Sequence, residues 1–138
     1  MLLQLPVSTI LLDSIAAGAV LVYAPYLVVA YGRLQVGYDL NAPRAMFDKL
    51  PAYAQRATWA HQNSFETFVV FAAAALMAYA TGQNSDQAGW AALVFVITRL
   101  LFSVFYILNV PLARSLMFGI GSFCTATLFI LSLITVNG

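Results

Sequence analysis

Charged residues are scarce in this sequence: 8% of its 138 residues are Asp, Glu, Lys or Arg, whereas 62% are hydrophobic. A soluble domain carries roughly 25% charged residues, so the composition excludes an ordinary soluble protein and indicates an integral membrane protein. The net charge of +1 comes without a basic run, so we expect no nucleic-acid partner. The apolar N-terminal stretch lacks the basic start of a signal peptide. We interpret it as a retained first helix, although the small residues Ala17, Gly18 and Ala19 are similar to a signal-peptide cleavage site.

Cysteine and histidine are nearly missing as well. Cys124 is the single cysteine, which excludes an intrachain disulfide and a cysteine-rich metal site. His61 is the single histidine, and no second histidine, cysteine or carboxylate stands at metal-ligand spacing from it. We therefore expect no metal, and we favour a packing or interfacial role for His61.

Long apolar runs are what the sequence has in abundance. A transmembrane helix needs ~20 mostly apolar residues, and residues 9–31, 53–80, 89–108 and 112–136 all qualify. Unbroken runs of this kind do not fit the alternating strands of a membrane barrel. We predict a single all-α membrane domain over residues 1–138, a four-helix bundle with up-down-up-down order. Asn109 and Pro111 leave a very short third connection, so the last two helices should form a tight antiparallel hairpin.

Basic residues are distributed unevenly among the three connections. The first connection contains Arg33, Arg44 and Lys49, and Arg114 lies beside the third. The second connection contains Asp86 and neither Lys nor Arg. Because short loops rich in Lys and Arg stay in the cytoplasm, we predict a multi-pass protein with cytoplasmic basic loops and both termini on the opposite side.

Two residues of opposite charge, Glu66 and Arg99, interrupt the apolar runs. An ionisable side chain at membrane depth costs ~3 kcal/mol or more and usually marks a partner, a ligand or an ion path. Successive helix residues rotate by about 100° and rise by about 1.5 Å. This geometry places Arg56 and Asn63 in one sector with Glu66, and it places Arg99 and Tyr106 on one face of the third helix. The polar residues of these two antiparallel helices then come out at matching levels in the membrane. We expect both charges to be buried there.

The surplus of positive charge separates two interpretations of this group. In one, Glu66 and Arg99 form a structural ion pair that fixes helix register within or between subunits. In the other, Arg114 lies at the same depth as these residues, and the group lines a cavity whose net charge stays positive after Glu66 has paired. Arginine offers carboxylates a planar, permanently charged fork. We therefore favour a cavity that binds an acidic, zwitterionic ligand.

The second apolar run begins with RATWAHQNSFE at residues 56–66. It resembles the signature of the MAPEG superfamily, the membrane-associated proteins in eicosanoid and glutathione metabolism, in which an Arg-Ala pair precedes an Asn and a Glu three residues further on. The third run is similar to the family's arginine with a tyrosine two turns later, here Arg99 and Tyr106. The following NVPLARS resembles the start of the family's fourth helix. The layout of the hairpin is most similar to the bacterial branch, which resembles microsomal glutathione transferases.

The resemblance implies a homotrimer that holds glutathione in a cleft between subunits, open to the cytoplasm and reached by lipophilic electrophiles from membrane lipid. By position it implies that glutathione is bound by Arg56, Asn63, Glu66, Arg99 and Tyr106, with Arg33 reaching in from the neighbouring subunit. Arg114 is similar to the arginine that stabilises the glutathione thiolate, and it is the implied catalytic residue. The eicosanoid-forming members differ from this chain at Trp59, where they have an arginine, and at Phe102, where they have tyrosine or histidine.

We therefore expect a membrane glutathione transferase, with or without peroxidase activity, that detoxifies lipophilic electrophiles. The thiolate of glutathione is the nucleophile, so the protein needs none of its own. A non-enzymatic lipid- or ligand-binding scaffold of the same fold is the alternative. A small proton-coupled transporter that uses Glu66 is a third, against which the arginines argue because they would keep that carboxylate ionised.

Overall fold

Four long helices make up nearly the whole chain in a computed structural model that describes residues 4–138. They are α1 (Val7–Gln35), α2 (Ala52–Ala80), α3 (Asp86–Ile107) and α4 (Pro111–Asn137). All four are long enough and apolar enough to cross a membrane, and no strand occurs within residues 4–138. The predicted all-α, four-helix membrane bundle is confirmed.

The helix ends differ from those predicted where local capping extends a helix into polar sequence. α1 continues past residue 31 to Gln35, and α3 begins at Asp86, ahead of residue 89. Ser85 explains the early start of α3, because its Oγ accepts a hydrogen bond from the Ala88 N–H at 3.3 Å, an N-cap that satisfies a free backbone donor. The first connection also contains a short 3₁₀ helix, Pro43–Lys49, which apolar runs alone do not reveal.

The third connection is three residues long, between Ile107 at the end of α3 and Pro111 at the start of α4. Asn109 makes this turn with φ of 60°, a left-handed conformation that asparagine tolerates better than most residues. Pro111 suits the first helical position because its missing N–H would have no partner there. The tight α3–α4 hairpin predicted from the sequence is therefore present.

Two apolar clusters hold the bundle together, one toward each end. Near the second connection, the rings of Phe71 and Phe95 stack with centroids 3.7 Å apart among buried alanines. At the other end, Val29, Leu50 and Ala54 form a smaller cluster. We call that end, formed by residues 36–51 and 108–110, the basic end. The polar residues of α2 and α3 lie between the two clusters.

Candidate functional site

Arg99 on α3 is the most deeply placed charge in the bundle, with 4% of its surface exposed. Its Nη2 donates to Asn63 Oδ1 at 2.9 Å and lies 3.3 Å from Ser64 Oγ, both on α2. Its Nε is buried and has no hydrogen-bond partner within residues 4–138. A buried guanidinium without a carboxylate partner is energetically costly. Arg99 therefore retains capacity for an anion.

Glu66 does not pair with Arg99 inside the protomer. The carboxylate is exposed on the protomer surface, and no hydrogen bond within residues 4–138 joins it to Arg99. The expectation that the chain buries both charges is wrong for Glu66. The buried face of α2 passes through Ser64, and at ~100° per residue Glu66 points about 160° away from it. The small residues, rather than the polar ones, define the inner face of this helix.

Glu66 and Arg99 nevertheless face one cavity between α2, α3 and α4, which we call the Arg99 cavity. Its volume is about 450 Å³. Its polar end is formed by Asn63, Glu66 and Arg99. The rest of the lining is apolar or small: Val70, Phe95, Phe118, Gly121, Ser122, Thr125, Ala126 and Phe129, with Thr67. An amphipathic ligand, charged at one end, would match this lining.

Tyr106 and Arg114 meet at the basic end of α3. The Cζ atom of Arg114 lies 4.3 Å from the centroid of the Tyr106 ring, and the Cζ atom of Arg99 lies 4.0 Å from that of Phe102. The Phe102 and Tyr106 rings touch edge to face, with centroids 5.5 Å apart and planes at 77°. Each arginine therefore makes a cation–π contact with one ring of a single aromatic pair.

Arg56 does not line the Arg99 cavity. Its Nε donates to the carbonyl of Ile107 at 2.9 Å, at the last residue of α3. A cation there satisfies a carbonyl that the helix leaves free and is favoured by the helix dipole. This contact gives Arg56 a role at the end of α3, and its predicted binding of glutathione stays a prediction.

Arg33 lines a second cavity on the other side of α2, which we call the Arg33 cavity. This space of about 790 Å³ lies between α1, the 3₁₀ helix and α2. Arg33 is 8% exposed, and its Nε has no hydrogen-bond partner within the described residues. Among the residues that the structure describes, Glu66 is the one that lines both cavities. Within one protomer, therefore, the structure does not bring Arg33 into the group around Arg99.

His61 also lines the Arg33 cavity but is held in the contact between α1 and α2. Its Nδ1 lies 2.6 Å from the carbonyl oxygen of Val22, and the centroids of the Tyr23 and Tyr26 rings lie 5.8 and 5.3 Å from that of the imidazole. These contacts make it a packing residue. Within residues 4–138, no three His, Cys, Asp or Glu side chains are close enough to hold a metal ion.

The family model described as MAPEG family matches residues 10–134, which include all the residues above. The chain belongs to the MAPEG family. No curated protein and no solved structure gives a match. Membership accounts for the membrane-embedded helical domain and relates it to glutathione transferases and eicosanoid-type enzymes.

Two residues that contact Arg99, Ser64 and Phe102, were not among the predicted site residues. Ser64 supplies a second oxygen to Arg99, and Phe102 lies under its guanidinium. A signal for Ser64 existed, because it belongs to the row of small residues that faces α3. Phe102 had no comparable signal, since an aromatic residue in an apolar run is equally typical of core or of lipid contact.

Proposed function

We propose that the protein is a membrane glutathione transferase that conjugates glutathione to lipophilic electrophiles. The single observation that carries the proposal is the state of Arg99. This guanidinium is buried, is held by Asn63 and Ser64, and has no carboxylate partner among residues 4–138. Together with MAPEG membership, a permanent buried cation facing a cavity supports an acidic ligand that enters from outside.

The polar groups of the Arg99 cavity match the charges and hydrogen-bonding groups of glutathione. The ligand has two carboxylates, one ammonium, two amides and a thiol. Arg99 suits a carboxylate, and Glu66 suits the ammonium. The Oδ1 of Asn63 already accepts from Arg99, so its amide N–H groups are left to donate to a peptide carbonyl. We assign orientation of the ligand to these three residues.

Arg114 supplies the activation of the thiol in this proposal. A free thiol has a pKa of about 8.5, and a neighbouring cation lowers that pKa so that more thiolate forms. Arg114 lies in the first turn of α4, where the helix dipole adds positive potential. The thiolate attacks the electrophilic carbon, a C–S bond forms, and the leaving group departs with the electron pair. No protein nucleophile is needed, and Cys124 is buried.

We further propose that the active unit is a homotrimer with the cleft between neighbouring subunits. The exposure of Glu66 on the protomer supports this, because a carboxylate facing lipid is costly. A neighbour that laid its Arg33 cavity over the Arg99 cavity would cover Glu66 and add a cation for the second carboxylate of glutathione. The basic end then opens to the cytoplasm, in agreement with the distribution of Lys and Arg.

A non-enzymatic binding scaffold is the second candidate, and the environment of Arg99 favours it. Phe102 gives the guanidinium a ring without a hydroxyl, so the site has one fewer proton donor for chemistry. Such a protein would bind glutathione or a lipid without turnover. Thiolate formation therefore separates the two candidates.

The test is a titration of the purified protein in detergent with glutathione, followed by ultraviolet absorbance of the thiolate. A chlorodinitrobenzene electrophile is added last, and the conjugate is measured. We expect thiolate and conjugate from the natural protein and from Lys49→Ala, an exposed control. Arg114→Ala should bind glutathione without forming thiolate. Binding without thiolate in the natural protein would favour the scaffold. No binding of glutathione would overturn the transferase and leave only a scaffold that binds lipid.

A further inference from the structure

Within the part of the chain that the structure describes, the Arg114 guanidinium is held by the Tyr106 ring of the aromatic pair on α3, Phe102 and Tyr106, and not by a hydrogen bond. Within residues 4–138, neither the Tyr106 hydroxyl nor the Arg114 guanidinium makes a hydrogen bond, whereas the guanidinium lies 4.3 Å above the ring. The specific contact that fixes Arg114 is therefore the face of an aromatic ring. An arginine side chain has many rotamers, so without such a contact its charge would be spread over a wide volume.

We propose that the ring faces of Tyr106 and Phe102 are positioning devices, Tyr106 for Arg114 and Phe102 for Arg99. In this inference the Tyr106 ring does the positioning, and its hydroxyl is dispensable. The inference rests on the proposed function for its catalytic consequence. Its geometric content concerns the two guanidinium groups alone and can be tested without glutathione.

The mutual arrangement of the rings keeps the two positive charges on separate faces. The ring planes meet at 77°, so the guanidinium groups above them lie along different directions. A cation–π contact also uses none of the hydrogen-bonding capacity of the guanidinium, so its N–H groups stay available to donate. Arg99 donates one of its N–H groups to Asn63, whereas the Arg114 guanidinium donates none within the described residues.

The Tyr106 ring is itself supported from the opposite helix. Trp59 on α2 approaches it with centroids 6.5 Å apart and planes at 43°. Phe118 on α4 approaches Phe102 at 6.4 Å. Aromatic contacts from α2, α3 and α4 therefore limit the motion of both rings, and the positions of the arginines follow from them.

Because each ring positions a different arginine, loss of each ring should change a different property of bound glutathione. Loss of the Tyr106 ring should raise the thiol pKa of bound glutathione by roughly one unit. It should change the Kd less than about twofold when binding is measured at a pH low enough that bound glutathione is still the thiol. Loss of the Phe102 ring should weaken binding about fivefold and leave that thiol pKa in place. A structural role shared by both rings would instead move both quantities together in both variants.

The variants are Tyr106→Leu and Phe102→Leu, with Tyr106→Phe and Phe102→Tyr as ring-retaining partners. Tyr106→Met fills a similar volume without a ring and is used if Tyr106→Leu does not fold. Tyr79→Leu removes an exposed ring at the far end of α2 and controls for loss of any aromatic residue. The first measurement is the ring-current shift of the Arg114 Nε–H in ¹⁵N-labelled protein without ligand, with the signal assigned through Arg114→Lys.

We expect the ring-current shift in the natural protein, Tyr106→Phe and Tyr79→Leu, and its loss in Tyr106→Leu or Tyr106→Met. The thiol pKa of bound glutathione, measured by thiolate absorbance against pH, should follow the same grouping. A Tyr106→Phe variant that behaves like Tyr106→Leu would overturn the inference and return the role to the hydroxyl. An unshifted Arg114 signal in the natural protein would also overturn it. A shifted signal without thiolate would refute the proposed function alone.

Discussion

Arg99 Nη2 donates to Asn63 Oδ1 across 2.9 Å, a hydrogen bond that joins α3 to α2 at the polar end of the Arg99 cavity. The bond holds a positive charge in place without neutralising it, because an amide oxygen carries only a partial negative charge. The cavity thereby keeps a full cation for a ligand.

Replacement of Asn63 separates stability from ligand binding. Asn63→Ala removes the acceptor of a charged hydrogen bond, so we expect a lower free energy of unfolding by about 1–3 kcal/mol and glutathione binding about tenfold weaker. Asn63→Asp supplies a carboxylate that pairs with Arg99, so stability should be retained while binding is lost. Thermal unfolding in detergent and calorimetric titration give the two quantities. Retained binding in Asn63→Asp would contradict the role given to the free cation.

Glu66 is expected to recognise the ammonium group of the ligand. Glu66→Gln removes the charge from an exposed side chain, so folding should be unaffected and glutathione binding about tenfold weaker. The matched measurement uses a glutathione analogue without the α-amino group, which should bind equally to both forms of the protein. If the analogue discriminates between them as glutathione does, Glu66 does not contact the ammonium.

The shared cleft can be tested by mixing subunits. Arg33→Ala and Arg99→Ala should each be inactive alone, yet their co-expression should restore part of the activity. In a mixed trimer, one boundary brings an intact Arg33 to an intact Arg99. Arg99→Ala mixed with Arg114→Ala should not recover, because both residues belong to the same side of every cleft. Rescue in the second mixture, or none in the first, would disprove this arrangement.

Gly32 permits the close approach of α1 and α2 at the basic end. A Cβ at this position would lie 2.5 Å from the Cβ of Ala54, a separation that requires the helices to move. We expect Gly32→Ala to lower the free energy of unfolding by about 1–3 kcal/mol. Gly119→Ala on α4 is the matched control, since nothing lies within 4 Å of its Cβ and alanine favours the helix. Equal stability of the two variants would count against this account of packing.

The proposed orientation is open to chemical labelling because the chain has one cysteine. In a Cys124→Ser background, Lys49→Cys should react with an impermeant maleimide only from the cytoplasmic side, and Gln83→Cys only from the opposite side. The reverse pattern would place the basic end outside and refute the orientation drawn from the positive-inside rule.

Much of the fold could be predicted because membrane-spanning helices are specified by length and apolarity. The four runs located the helices, and the short segment around Asn109 located the hairpin. The ends were less accurate, since the cap at Ser85 and the extension of α1 to Gln35 depend on local hydrogen bonds. The 3₁₀ helix escaped detection because it lies in polar sequence with no apolar periodicity.

The site could be predicted where contacts depend on the depth of a residue in the membrane. It could not be predicted where contacts depend on the rotation of a helix about its axis. Depth along the helices put the polar residues of α2 and α3 at matching levels, and Arg99 does bond to α2, but its partner is Asn63 and not Glu66. The burial of Glu66 was predicted wrongly because a stripe of polar residues was used to infer the inner face of α2. The contact of Arg56 with Ile107 depends on side-chain direction, which residue spacing does not encode.

The three-residue link between α3 and α4 has a consequence for divergence within such proteins. It fixes the phase of α4 relative to α3, and so fixes which residue of the first turn of α4 faces Tyr106. Insertion or deletion of one residue there would rotate the fourth helix by ~100° and carry Arg114 off the ring. The length of a surface turn is thus inherited together with the position of the charge at the start of the next helix. A lineage that changed that length would have to recruit its cation from another position.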